Sequence, residues 1–133
     1  MKLFVRGFLA FAAMLAALFV TAGPAQAEDC GECWYKYTVA AAPYKSEAGE
    51  ALFDAYGEYL YVFDWDKDGA GVVAHFSVNY GAWQQRTNTK GADTQATWNL
   101  DYSENLSFRF FVCISNNGTN IASTCSSMVY ANT

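Results

Sequence analysis

The densest group of chemically capable side chains in this sequence is Asp64-Trp65-Asp66-Lys67-Asp68-Gly69. It matches D-x-D-x-D-G, the opening of a calcium loop, in which three carboxylates alternate along a tight bend and glycine permits the sharp turn. Asp64, Asp66 and Asp68 are therefore the candidate metal ligands, with the Ala70 carbonyl in the seventh position. The twelfth position, where an EF-hand places a bidentate glutamate, holds His75, and no helical pattern flanks the loop, so an EF-hand is excluded. A weak calcium site in a β-loop is what the pattern can still support, and no other cofactor is implied. The competing account is a solvated turn in which Gly69 and Gly71 adopt positive φ.

His75 is the single histidine. As a general base it would need a nucleophile or carboxylate held against it, and no G-x-S-x-G or comparable pattern supplies one. A small hydrolase using Asp or Glu with His75 is therefore an alternative function rather than the leading one. The aromatic residues are more informative. Of Trp34, Trp65, Trp83 and Trp98, two stand among polar groups: Trp65 inside the acidic turn, and Trp83 just before Gln84-Gln85-Arg86. Flat rings beside amides and carboxylates can stack on sugars or anchor a protein partner. Trp65, Trp83, Asp66 and Asp68 are accordingly the candidate binding residues, while Trp98 is expected in the core.

The start of the chain reads as an address. Lys2 and Arg6 precede an apolar run from Phe8 to Val20, Gly23-Pro24 breaks it, and Ala25-Gln26-Ala27 provides a cleavage pattern. Residues 1–27 are thus expected to be a cleaved bacterial signal peptide, and residues 28–133 a single secreted, extracellular domain, monomeric and without a membrane segment. The whole sequence has net charge −5; without Lys2 and Arg6, six basic residues face thirteen acidic ones, a net −7. Such a surface repels phosphate backbones and anionic lipid, which argues against nucleic-acid and membrane partners.

All four cysteines, Cys30, Cys33, Cys113 and Cys125, fall in the mature part. In an oxidising compartment an even count implies two disulfides. Cys30-Gly31-Glu32-Cys33 has redox or zinc half-site spacing, but no strand-to-helix junction is present to activate a thiolate. The local pairing, Cys30–Cys33 with Cys113–Cys125, is expected.

The elements that must position these groups read as strands. Trp34–Val39, Leu52–Tyr56, Glu58–Trp65, Val72–Tyr80, Ala82–Thr87, Gln95–Leu100 and Leu106–Ser115 carry β-prone or alternating patterns, and the chain then returns through Ile121–Tyr130. In Glu58–Trp65 the residues Tyr59, Tyr61, Phe63 and Trp65 share one face and Leu60, Val62 and Asp64 the other, as in a central strand covered on both sides. That strand and Val72–Tyr80 are expected to form a hairpin closed by the acidic turn. Asn117-Gly118 is a strong hairpin signal, and it brings Cys125 opposite Cys113 on the next strand. About seven short strands without βαβ alternation predict an all-β fold: an antiparallel β-sandwich, immunoglobulin-like or a similar Greek key, stapled by disulfides.

The mid-chain Asp-Gly turn and the segment Phe108-Arg109-Phe110-Phe111-Val112-Cys113, followed by Cys125-Ser126-Ser127, resemble a group of small exported actinobacterial proteins. The resemblance covers about half of the mature chain. It implies the sandwich fold and the late disulfide, and it implies no activity.

The function expected from these features is that of a small secreted, non-enzymatic binding protein. Its partner, a protein or a carbohydrate, would meet an aromatic and acidic loop surface. Besides the hydrolase, a structural envelope or matrix protein is the remaining alternative.

Overall fold

The computed structural model describes residues 31–133. The signal segment and Cys30 lie outside the described residues, and with them the expected Cys30–Cys33 pairing. Among the described residues, nine strands form two antiparallel sheets: β1 Cys33–Tyr37, β2 Gly49–Asp54, β3 Tyr59–Asp64, β4 Gly71–Val78, β5 Gln84–Asn88, β6 Thr94–Asn99, β7 Ser107–Asn116, β8 Thr119–Ile121 and β9 Val129–Asn132. One sheet has the order β1-β2-β3-β6; the other runs β5-β4-β7, with β8 and β9 both pairing β7.

The all-β sandwich expected from alternation is the observed fold, with nine strands instead of about seven. The additional elements come from the tail. The expected single return strand is the three-residue β8, a 3-10 turn over Ala122–Thr124, and then β9. Cys113 and Cys125 are joined in a disulfide as expected, across a sequence separation of 12. Cys125 follows the 3-10 turn, however, and does not lie on a strand opposite Cys113.

The more consequential correction concerns the acidic turn. β3 pairs with β2 and β6, whereas β4 pairs with β5 and β7. The segment from Asp64 to Gly71 is therefore an arch that carries the chain from one sheet to the other, and not a hairpin turn. The β6–β7 connection crosses in the same sense, so that the β3–β6 pair lies in one sheet and β4–β7 in the other. Gly71 opens β4 because a Cβ there would stand 2.6 Å from the Asn88 carbonyl oxygen.

The inner faces supply the core. Leu60 and Val62 of β3, Phe53 of β2, Val72, Ala74 and Phe76 of β4, and Phe108, Phe110, Val112 and Ile114 of β7 are buried together. Phe108 stacks on Phe53 across the two sheets with ring centroids 3.8 Å apart, and it lies 5.6 Å from Phe76. Burial of each such ring contributes roughly 1.5–3 kcal/mol. Asn88 ties the ends of the sheets: its buried Nδ2 donates from β5 to the Val62 carbonyl of β3 at 3.1 Å. Trp98 packs against this core as expected.

Candidate functional site

Alternation places Tyr59, Tyr61 and Phe63 on the face of β3 opposite the core, and Trp65 continues the series just past the strand. Residues directly opposite in antiparallel register share a face. Leu52 and Glu50 of β2 flank Tyr61 and Phe63, and Tyr35 and Tyr37 of β1 come next, opposite Leu52 and Glu50. On the other side of β3 the same face is bordered by Gln95, Thr97 and Asn99 of β6. The expectation that β3 is covered on both faces is not met. This outer face is open, and its residents include Tyr35, 57% exposed, Tyr59, 36%, and Trp65, 43%.

The rings support one another. Along β3 the centroid spacings are 6.2 Å for Tyr59–Tyr61, 6.4 Å for Tyr61–Phe63 and 5.0 Å for Phe63–Trp65, the last pair within 7° of parallel. On β1, Tyr35 and Tyr37 meet edge to face at 5.8 Å. Phe63 and Trp65 form an offset stack, and the two tyrosines continue the row in looser contact.

Glu50 holds the end of the stack. Its Oε2 accepts a hydrogen bond from Trp65 Nε1 at 3.0 Å, and the Tyr37 hydroxyl lies close enough to favour its ionised form. Burial under these rings pushes the Glu50 carboxyl above the usual range, a shift that these two neighbours partly offset. The same environment raises the Tyr37 hydroxyl, again chiefly through burial and then through the Glu50 charge.

The carboxylates of the acidic arch separate. Asp64 turns inward with the core residues of β3 and is 1% exposed, with a buried Oδ2 lacking a hydrogen-bond partner. Burial, and then the Asp68 charge, raise it to about 6. Asp66 forms an ion pair with Lys45 at 3.1 Å. Asp68 Oδ1 accepts from the Ala70 N–H at 2.8 Å and so shapes the turn. Among the described residues no group of three or more His, Cys, Asp or Glu is placed to hold a metal ion. The tip of the arch instead lines a cleft of about 780 Å³ at the end of the sandwich, with Asp66, Gly69, Asp93, Gln85, Thr87 and Asn120 among its walls.

Trp83 does not join Trp65. It is 45% exposed, but its ring packs on Phe111 and Arg109 of β7, on the outer face of the other sheet. His75 lies on that second face too. It stacks on Phe111 at 4.8 Å and its Nε2 meets the Asn120 side chain at 2.9 Å. Burial lowers its pKa, and the side chains it meets are those of Phe111 and Asn120.

Of the four candidate binding residues, the structure thus puts Trp65 on an aromatic platform, Asp66 and Asp68 at the adjoining arch, and Trp83 on the opposite face. The platform residues Tyr35, Tyr37, Glu50, Tyr59, Tyr61 and Phe63 were not among the expected site residues. Their shared face was legible by alternation, but its exposure was not. No protein-family model, curated protein or solved structure matches this chain.

Proposed function

We propose that this chain is a binding protein that engages a protein partner through the aromatic outer face of β1, β2 and β3, with Trp65 as the anchor. One observation carries the reading: Tyr35, Tyr37, Tyr59, Tyr61, Phe63 and Trp65 occupy a single uncovered sheet face. Tyrosine and tryptophan dominate the energetics of protein interfaces, since they bring large contact area with little rotamer freedom to lose. Here the stack and the Glu50 bond have already removed much of that freedom from Trp65, which lowers the entropic cost of association.

The shape favours a protein over a small ligand. Small molecules prefer concave sites, and neither the arch cleft nor the cleft beside β9 includes Phe63 or Trp65. The chain's net charge of −5 and the Asp54 carboxylate in register with Tyr59 favour a partner whose contact surface is basic around an apolar centre.

The test uses the secreted domain immobilised as wild type and as the Tyr35→Ala/Trp65→Ala double variant. A partner captured by the wild type is purified and its binary affinity measured against both. At least a hundredfold weaker binding by the folded double variant is expected, with affinity falling as salt rises. Equal affinity of the two forms, or retention on insoluble polysaccharide that depends on Trp65, would overturn the protein-partner reading.

A further inference from the structure

The opposite face of the sandwich carries a separate arrangement. Arg109 of β7 projects outward, opposite Ser77 of β4 and Tyr130 of β9. Its guanidinium carbon lies 4.8 Å from the Trp83 ring centroid and 5.3 Å from that of Tyr80. Both contacts are within cation–π range, and two aromatic neighbours hold the planar group in place. Trp83 is itself braced edge-on against Phe111 at 5.5 Å.

What Arg109 lacks is an anion. The sequence has thirteen carboxylates, yet the ion pair found among the described residues is Lys45–Asp66, elsewhere on the molecule. The Nε of Arg109 is buried and has no hydrogen-bond partner. That atom is shielded, so it is the rest of the guanidinium, a partly buried cation without a counter-charge beside a cleft, that points to an anion arriving from outside. The cleft is present. It measures about 360 Å³ and is lined by Arg109 together with Trp34, Ser107, Tyr130 and Asn132, a size and a mix of aromatic wall and few polar groups that suit a small organic ligand.

The backbone adds an independent indication. Val78-Asn79-Tyr80-Gly81 is a type I′ turn, with the Gly81 N–H donating to the Val78 carbonyl at 2.8 Å. Its two central residues, Asn79 at φ 47° and Tyr80 at φ 58°, are both left-handed without being glycine. Asparagine tolerates this region and tyrosine does not favour it. A tyrosine held there places its ring against Arg109, which a glycine could not do.

We propose that the Arg109 cleft binds a small ligand carrying a carboxylate on a flat aromatic body. The carboxylate takes the outer fork of the guanidinium, Ser107 and Asn132 offer neutral hydrogen bonds, and Tyr130 and Trp34 line the cleft where the ring rests. Trp34 comes from β1 but packs against the core side of that strand, away from the outer face that carries the platform.

The experiment titrates the disulfide-bonded domain with phenylacetate and follows tryptophan fluorescence together with the indole N–H signal of Trp83. Acetate, which lacks the ring, and phenylacetamide, which lacks the charge, are titrated in parallel. Saturable binding of phenylacetate is expected, with both analogues at least tenfold weaker. Arg109→Met and Arg109→Lys are expected to weaken phenylacetate at least tenfold, the second because it keeps the charge but loses the fork. Tyr80→Gly relieves the left-handed strain while removing the ring, so thermal stability is retained or raised while binding weakens. Trp65→Ala leaves the affinity unchanged, which separates this site from the platform. Equal binding of phenylacetamide, equal binding of acetate, undiminished affinity in folded Arg109→Lys, or no saturable phenylacetate signal would each overturn the proposal.

Discussion

The Trp65 indole N–H donates to Glu50 Oε2 at 3.0 Å, although the two residues are fifteen positions apart and on different segments of the four-stranded sheet. The bond fixes an exposed tryptophan at the end of a ring stack, and it does so with a carboxylate that is itself largely buried.

Glu50→Ala and Glu50→Gln should separate its hydrogen bond from its charge. Alanine removes the acceptor and frees the indole; a loss of about 1–2 kcal/mol in unfolding free energy is expected, with a change in Trp65 fluorescence. Glutamine keeps an acceptor for Trp65 but carries no charge. Because burial disfavours the ionised glutamate, Glu50→Gln is expected to match or exceed wild-type stability at neutral pH. Urea titrations at pH 7.5 measure both.

Stability is expected to fall as pH rises from about 4 to 6, the reverse of acid denaturation. Asp64 has its pKa raised by burial from 3.8 to about 6 in the folded chain. Over that window the folded state binds more protons than the unfolded one, so its contribution is complete below pH 3.8 and is lost by the time pH passes about 6. Asp64→Asn should flatten this slope and stabilise the chain at pH 7 by about 1–2 kcal/mol after allowance for solvent screening. Comparing variant with wild type cancels the opposite trend from His75, whose lowered pKa makes stability rise with pH just below 6.5. A wild-type profile parallel to that of Asp64→Asn would show that Asp64 is ionised at no extra cost.

Calcium should leave the melting temperature unchanged. Asp64 faces inward, Asp66 is paired with Lys45 and Asp68 caps the Ala70 N–H. Ligand binding to the folded state must raise the midpoint, so melting with millimolar calcium and with chelator is a direct check. A rise of several degrees would show that the arch rearranges to gather its carboxylates.

Opening the Cys113–Cys125 link, by Cys113→Ser with Cys125→Ser, should lower stability by about 3 kcal/mol through the enlarged unfolded ensemble. The bond anchors the tail to β7, next to the backbone bond from the Ser126 N–H to the Val112 carbonyl at 2.8 Å. Hydrogen exchange of the 122–131 segment should therefore accelerate more than that of β3. Uniform acceleration would mean that the link acts on global stability alone.

Phe108→Ala should be the most damaging of these changes, at about 3–5 kcal/mol, since it removes the ring that joins Phe53 of one sheet to Phe76 of the other. Denaturant unfolding measures it. A loss below 1 kcal/mol would mean that the two sheets close over the vacancy.

Much of this molecule is local and could be read from the chain alone. The two-residue alternation of Tyr59-Leu60-Tyr61-Val62-Phe63-Asp64 sorts its side chains onto two faces, because successive Cβ atoms in a strand point opposite ways. Asn117-Gly118 marks the β7–β8 hairpin, where both residues are left-handed. The nearness of Cys113 and Cys125 follows from that reversal. What alternation cannot say is which face will be covered, or by what. Asp64–Gly71 encodes a reversal of direction, but whether the two flanking strands pair with each other depends on distant competitors. β2 and β6 took the edges of β3, and β5 and β7 took those of β4, an arrangement that buries the two apolar faces against each other. That choice, made by non-local burial, turned a hairpin into an arch, sent Asp64 inward, and put Trp65 and Trp83 on opposite sides of the protein.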